Sequence, residues 1–159
     1  APYDFKGFMG MRNFTIETMD GKKLAWANSN WTHLAISTGI PARLTPADTD
    51  NYILSEKLEM DYAPRKIKLP DDMISQESFT VQKHHLDTNH HVNNCQYICM
   101  AEDFLPEDFK VYQMRAEYKM QAKLGDMIWP KAKVESGKVV VSLDDEKGKP
   151  YAIVELAEK

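Results

Sequence analysis

At 159 residues, 43% of them hydrophobic and 28% charged, the chain is long enough for one packed domain or slightly more and lies well outside the disordered range. Its net charge of −4 argues against a nucleic-acid or membrane partner, and no apolar run approaches the length of a membrane span. Ala1-Pro2-Tyr3-Asp4 lacks the basic and apolar stretches of a secretory leader, and Cys95 and Cys99 stand one helical turn apart rather than as a disulfide framework or CxxC pair, so a cytoplasmic setting is expected.

The first stretch reads as antiparallel strands. Residues 12–18 alternate, with Phe14 and Ile16 on one face, and Asp20-Gly21 is a tight-turn signal because glycine accepts positive φ. The returning strand is expected over 23–36, with Leu24, Trp26, Trp31 and Leu34 available for burial. Between 38 and 76 the pattern loosens around Pro41, Pro46, Pro64 and Pro70. Thr45 as cap and Pro46 at the first position predict a short helix over 46–58.

A second unit is expected from 77. Strand formers dominate 79–85, and a helix over 94–104 follows from the spacing of Tyr97, Met100, Ala101 and Phe104, with Asn93 as cap and Pro106 beyond its end. The clearest strand is 112–120, where Tyr112, Met114, Ala116, Tyr118 and Met120 alternate with polar residues up to the Gly125-Asp126 break. Three more strands, 127–134, 138–143 and 151–156, join at Gly137 and Gly148. One helix followed by a run of strands predicts an α+β layer with the antiparallel sheet wrapped around the helix.

The chemistry concentrates just before that helix. Asp87, Asn89, His91 and Asn93 fall two residues apart, and in an extended backbone all four would share a face. A carboxylate, amides and an imidazole would then gather beside the unpaired N–H groups of a helix N-terminus. Hydrolysis of an activated carbonyl needs those parts: a base for water and fixed donors for the developing oxyanion. Spacing alone does not separate this reading from a polar turn before a helix, where Asp, Asn and Thr serve as caps. The pairs His84-His85 and His90-His91 do not suggest a metal, because neighbouring strand residues point to opposite faces. Cys95 and Cys99 are expected to pack as small apolar residues rather than to act as nucleophiles.

The run from Asp87 to Tyr97, DTNHHVNNCQY, resembles the Asp-x-Asn-x-His-x-Asn-Asn-x-x-Tyr signature in the second hotdog domain of the plant and bacterial fatty acyl–acyl carrier protein (ACP) thioesterases. Arg12, Phe14, Gly21, Leu24-Ala25, Ser29 and Trp31 resemble the last strands of that family's first hotdog. Pro64-Arg65-Lys66-Ile67 with Leu69-Pro70 is similar to its connector, and Tyr118 through Asp126 to its strand after the helix.

The resemblance implies a hotdog fold: residues 1–37 as the closing strands of a first, partial hotdog, 38–76 as a connector with a short helix, and 77–159 as a complete second hotdog. It implies a thioester hydrolase acting on acyl-ACP, without a cofactor or metal, with Asp87, Asn89 and His91 as the catalytic trio. Asn93, Asn94 and Tyr97 are then substrate-binding, and Arg65, Lys66 and Lys68 a docking point for the acidic carrier. The family's assisting Glu is replaced by Gln121, and Ala122 stands where the plant enzymes carry a cysteine. An amide positions water but accepts no proton, so base duty passes to His91 or Asp87. A homodimer, an acyl-CoA thioesterase and a non-catalytic binding hotdog remain open beside this reading.

Overall fold

Gly21, at φ +84°, takes the left-handed conformation of the turn at Thr18–Gly21, where the Thr18 N–H reaches the Lys22 carbonyl at 2.9 Å. Either side of it run β2 (Met9–Glu17) and β3 (Lys23–Thr32), and a further strand not apparent in the sequence, β1 (Pro2–Lys6), pairs with β2. The computed structural model describes all 159 residues in two units, Ala1–Arg65 and Lys66–Lys159; this antiparallel β1-β2-β3 sheet belongs to the first.

The helix expected over 46–58 is a single turn, α1 (Pro46–Thr49). Asp48 closes its start by accepting the Thr45 N–H at 2.8 Å and hydroxyl at 2.7 Å. Its continuation is lost to the sheet. The Ser55 N–H bonds the Pro2 carbonyl at 2.9 Å, and the Leu58 N–H bonds Oδ1 of the buried Asn13 at 3.0 Å, an oxygen that also accepts the Tyr62 hydroxyl. Satisfying a buried amide outweighed local helix propensity. Leu24, Trp26, Trp31 and Leu34, expected as core, are all exposed, as Phe14 and Ile16 are.

In the second unit, β4 (Ile74–Ser75) and β5 (Phe79–Thr80) are two-residue strands, followed by a 3₁₀ turn at Lys83–His85 and by α2 (Asn94–Glu102). Then come β6 (Gln113–Tyr118), β7 (Met127–Glu135), β8 (Lys138–Asp144) and β9 (Pro150–Ala157). They form an antiparallel sheet in the order β4-β7-β8-β9-β6, with β5 also on β7. Tyr97, Met100 and Ala101 of α2 pack on Val139, Val141, Leu143, Val154 and Leu156, each apolar side chain contributing about 1.5–3 kcal/mol when fully buried. This is the hotdog arrangement, a sheet around one helix.

The sheet's opposite face is covered too. Ile67, Leu69 and Met73 pack on Val140 and Ile153, so β8 is buried on both sides. Polar groups on that face are paired: Arg115 with Glu155 at 2.6 Å, Lys131 with Asp144 at 2.9 Å, and the Ser142 hydroxyl donating to Asp144. The boundary between the two units falls within 38–76, residues up to Arg65 belonging to the first and those from Lys66 to the second.

Candidate active site

The run from Leu86 to Asn93 is not the extended strand its spacing suggested. Leu86 and Val92 pair with each other, and the five residues between them double back. The Asp87 N–H donates to the His91 carbonyl at 2.8 Å, the His90 N–H donates to the Asp87 carbonyl at 3.1 Å, and His90 sits at φ +61°. The Asp87 carboxylate closes the turn, Oδ1 accepting the Asn89 N–H at 2.8 Å and the His91 N–H at 3.2 Å. A short Asp side chain is suited to bonding backbone two residues on, and here that chemistry won over extension.

That use fixes the state of Asp87. Desolvation raises its pKa, but the N–H bonds from Asn89 and His91, the His91 ring and the Asn89 side chain together hold it below the ordinary carboxylate value. Asp87 is therefore an anion with Oδ1 already occupied, suited to orienting its neighbours rather than to taking a proton. The His91 imidazole is half-buried and makes no hydrogen bond of its own.

Three laces hold the loop. The Asn93 N–H bonds the His85 carbonyl at 2.9 Å, the Val92 N–H bonds the Ala122 carbonyl at 2.9 Å, and His91 pairs with Lys123. Continuing that register sets Asn93 opposite Gln121. Val92 and Ala122 turn into the core, at 4% and 0% exposure, which leaves His91, Asn93, Gln121 and Lys123 on the other face. Gln121 reaches this place because the chain bends after β6. The N–H groups of Lys119 and Met120 both go to the Tyr151 carbonyl, at 2.8 and 3.2 Å, a bulge-like doubling that ends regular pairing.

The N-terminus of α2 is largely used up by its own cap. Asn93 Oδ1 accepts the Cys95 N–H and the Asn93 carbonyl accepts the Gln96 N–H, both at 2.9 Å, so the first-turn donor left open is that of Asn94. The Asn94 carbonyl accepts the Tyr118 hydroxyl at 3.3 Å. Asn89, Asn93 and Asn94 are exposed; the Asn89 side chain bonds the Asp87 carboxylate, while the amide nitrogens of Asn93 and Asn94 donate to no protein group.

Tyr97, placed on the helix's buried face by its spacing and among the substrate-binding residues by the resemblance, is 2% exposed in the core, and its hydroxyl oxygen accepts the Ala122 N–H at 2.9 Å. Burial raises its pKa, so the phenol stays protonated near neutrality. Cys95 and Cys99 are both exposed thiols, because Tyr97, Met100 and Ala101 take the inner face of this short helix. His85 Nδ1 is taken by the Gln82 N–H at 2.9 Å, a structural use. Arg65, Lys66 and Lys68 are exposed; Arg65 lies 3.6 Å from the Met9 sulfur, and the Lys66 carbonyl accepts from Arg115 at 3.3 Å.

Lys123, Asp126 and Tyr151 escaped sequence reasoning as neighbours of the site. The Lys123 N–H donates to Asp126 Oδ2 at 2.9 Å, and Asp126 faces the Tyr151 hydroxyl. The Gly125-Asp126 turn signal was their one trace in the sequence. Together the face offers a free imidazole beside a fixed carboxylate, side-chain amides and an open helix N–H. Those groups suit attack of water on a carbonyl and stabilisation of the resulting oxyanion.

Among solved structures, the chain is similar to an acyl-ACP thioesterase from Bacteroides thetaiotaomicron, with TM-score 0.84 and 20% identity over 98% of this chain and 65% of that one. It is similar also to the 12:0-ACP thioesterase from Umbellularia californica, with TM-score 0.81 and 17% identity over 98% and 63% of the two chains. The chain thus spans a little under two thirds of the length of these proteins, and at such identities the likeness is one of fold. No curated protein matches it in sequence. The model of the acyl-ACP thioesterase C-terminal domain matches residues 55–154, more than half of the chain. On that match the chain belongs to the acyl-ACP thioesterase family.

Proposed function

We propose that the chain carries the catalytic part of a thioesterase that hydrolyses acyl-ACP and releases a free fatty acid. The observation that carries this reading is the lacing of 85, 91–93 and 121–123 into one patch, with the His91 imidazole making no hydrogen bond. His91 takes a proton from water as its oxygen attacks the thioester carbonyl. The Asn94 N–H and the amide nitrogens of Asn89 and Asn93 receive the oxyanion. Collapse expels the pantetheine thiolate, which recovers the proton from His91, leaving carboxylic acid and free thiol. Asp87 holds the loop and the charge of His91, and Gln121 orients the water.

In this proposal residues 1–37 are the closing strands of a partial first hotdog, 38–76 its connector, and 77–159 the catalytic hotdog. Arg65, Lys66 and Lys68 meet the acidic carrier through long-range attraction that the chain's net charge would otherwise oppose. The carrier is ACP because the family is defined on it; both solved relatives named above bear that carrier in their descriptions.

The test is thiol release from acyl-ACP and acyl-CoA, side by side, with His91→Ala as the comparison. Loss of a positioned base is expected to lower turnover by about 10²–10⁴-fold with an unchanged melting curve. Turnover by His91→Ala at the parent rate ends the reading. Faster hydrolysis of acyl-CoA than of acyl-ACP changes the carrier and leaves the hydrolytic chemistry in place.

A further inference from the structure

After Met120 the chain leaves β9, yet two consecutive donors of 121–123 remain satisfied, and by side chains. The Ala122 N–H is accepted by the Tyr97 hydroxyl oxygen at 2.9 Å and the Lys123 N–H by Asp126 Oδ2 at 2.9 Å. The Ala122 carbonyl meanwhile receives the Val92 N–H. These bonds close a ring: Val92, Asn93, the first turn of α2 to Tyr97, Ala122, and Val92 again. The ring fixes how far the helix N-terminus lies from the segment bearing Gln121. Phe at position 97 would fill the same core volume but leave the Ala122 N–H, on a residue with no exposed surface, without an acceptor.

We propose that Tyr97 is a positioning residue, its phenol oxygen taking the place of a missing neighbouring strand and setting Gln121 against His91 and Asn93. This rests on the thioesterase reading for its catalytic consequence, but not for its geometry. Asp126, which also faces the Tyr151 hydroxyl, is the second side chain of the same clamp. A substrate-binding tyrosine would contribute to KM; a positioning tyrosine contributes to the rate of the bound complex.

The experiment compares Tyr97→Phe with Tyr112→Phe, a tyrosine that is 64% exposed and away from the ring. Steady-state kinetics on acyl-ACP and amide hydrogen exchange are read on the same intact protein. Tyr97→Phe is expected to lower kcat by about tenfold or more with KM within about twofold, and to speed Ala122 amide exchange by a similar factor. Tyr112→Phe is expected to change neither. An unchanged kcat, or a raised KM at constant kcat, overturns the proposal, as does unaltered exchange at Ala122. If the parent protein hydrolyses no thioester, the functional reading fails on its own and the exchange rate alone decides whether Tyr97 holds the segment. Should Tyr97→Phe melt too low to assay, Asp126→Ala, which removes the acceptor of the Lys123 N–H, supplies the second variant, with Lys123 amide exchange and kcat expected to move in the same directions.

Discussion

Replacing Asn93 separates the two ends of one amide. Its Oδ1 caps α2 through the 2.9 Å bond from Cys95 N–H, while its Nδ2 donates to no protein group and in the proposed mechanism receives the oxyanion. Asn93→Ala removes the cap, at a cost of about 1 kcal/mol. For a chain of this length that lowers the melting temperature by about 2–4 °C. Asn93→Asp keeps an acceptor for Cys95 and adds a negative charge at a helix N-terminus, worth about 0.3–1 kcal/mol, so its melting temperature should match or exceed the parent's. The same variant loses the Nδ2 donor and opposes an oxyanion, so its kcat should fall by about 10²–10³-fold. Thermal melts by circular dichroism and thiol-release kinetics on one preparation read both effects. Asn93→Ala melting with the parent would refute the cap, and Asn93→Asp turning over at the parent rate would refute the donor.

Two further outcomes follow from the loop itself. The folded pKa of Asp87 lies below its unfolded value, so its contribution to stability is complete above the ordinary carboxylate value of about 3.9 and is lost as pH falls through the lower folded value. The melting-temperature gap between the parent and Asp87→Ala should therefore be constant above about pH 5 and close below about pH 4, as read by melts across a pH series; a gap unchanged into acid would mean that the ionised form is not what closes the turn. Gln121→Glu restores a carboxylate opposite Asn93 and should leave kcat on acyl-ACP equal or higher, whereas a collapse would show that the amide's N–H donation is required.

Much of the second unit was legible because its cues are local. Tyr112 to Met120 alternates, Gly137 and Gly148 mark turns, and Asn93 caps α2 as its residue type suggests. The candidate run from Asp87 to Asn93 was legible as a set of residues but not as a shape. Extension and an Asp-closed turn both suit Asp87-Thr88-Asn89, and the choice depends on partners at 85, 122 and 123 that local spacing does not reveal. Tyr97 illustrates the same limit. Its helical spacing announced a core position, but the acceptor role of its hydroxyl depends on an amide 25 residues away. In the first unit, Thr45-Pro46 gave a sound helix start, while its end was set by Pro2 and Asn13, far along the chain.

β8 runs through the middle of the second sheet with Val139, Val140, Val141 and Leu143 each at 1% exposure or less, sealed by α2 on one side and by Ile67 on the other. None of its side chains belongs to the patch around His91. The most deeply buried strand and the loop proposed to react are thus different stretches of chain, joined through α2. A drifting lineage could rewrite 87–93 and 121–123, trading one carbonyl chemistry for another, while β8 went on specifying the same fold; the reverse exchange, a polar residue admitted at Val141, would leave the reacting groups intact in sequence with no scaffold to hold them.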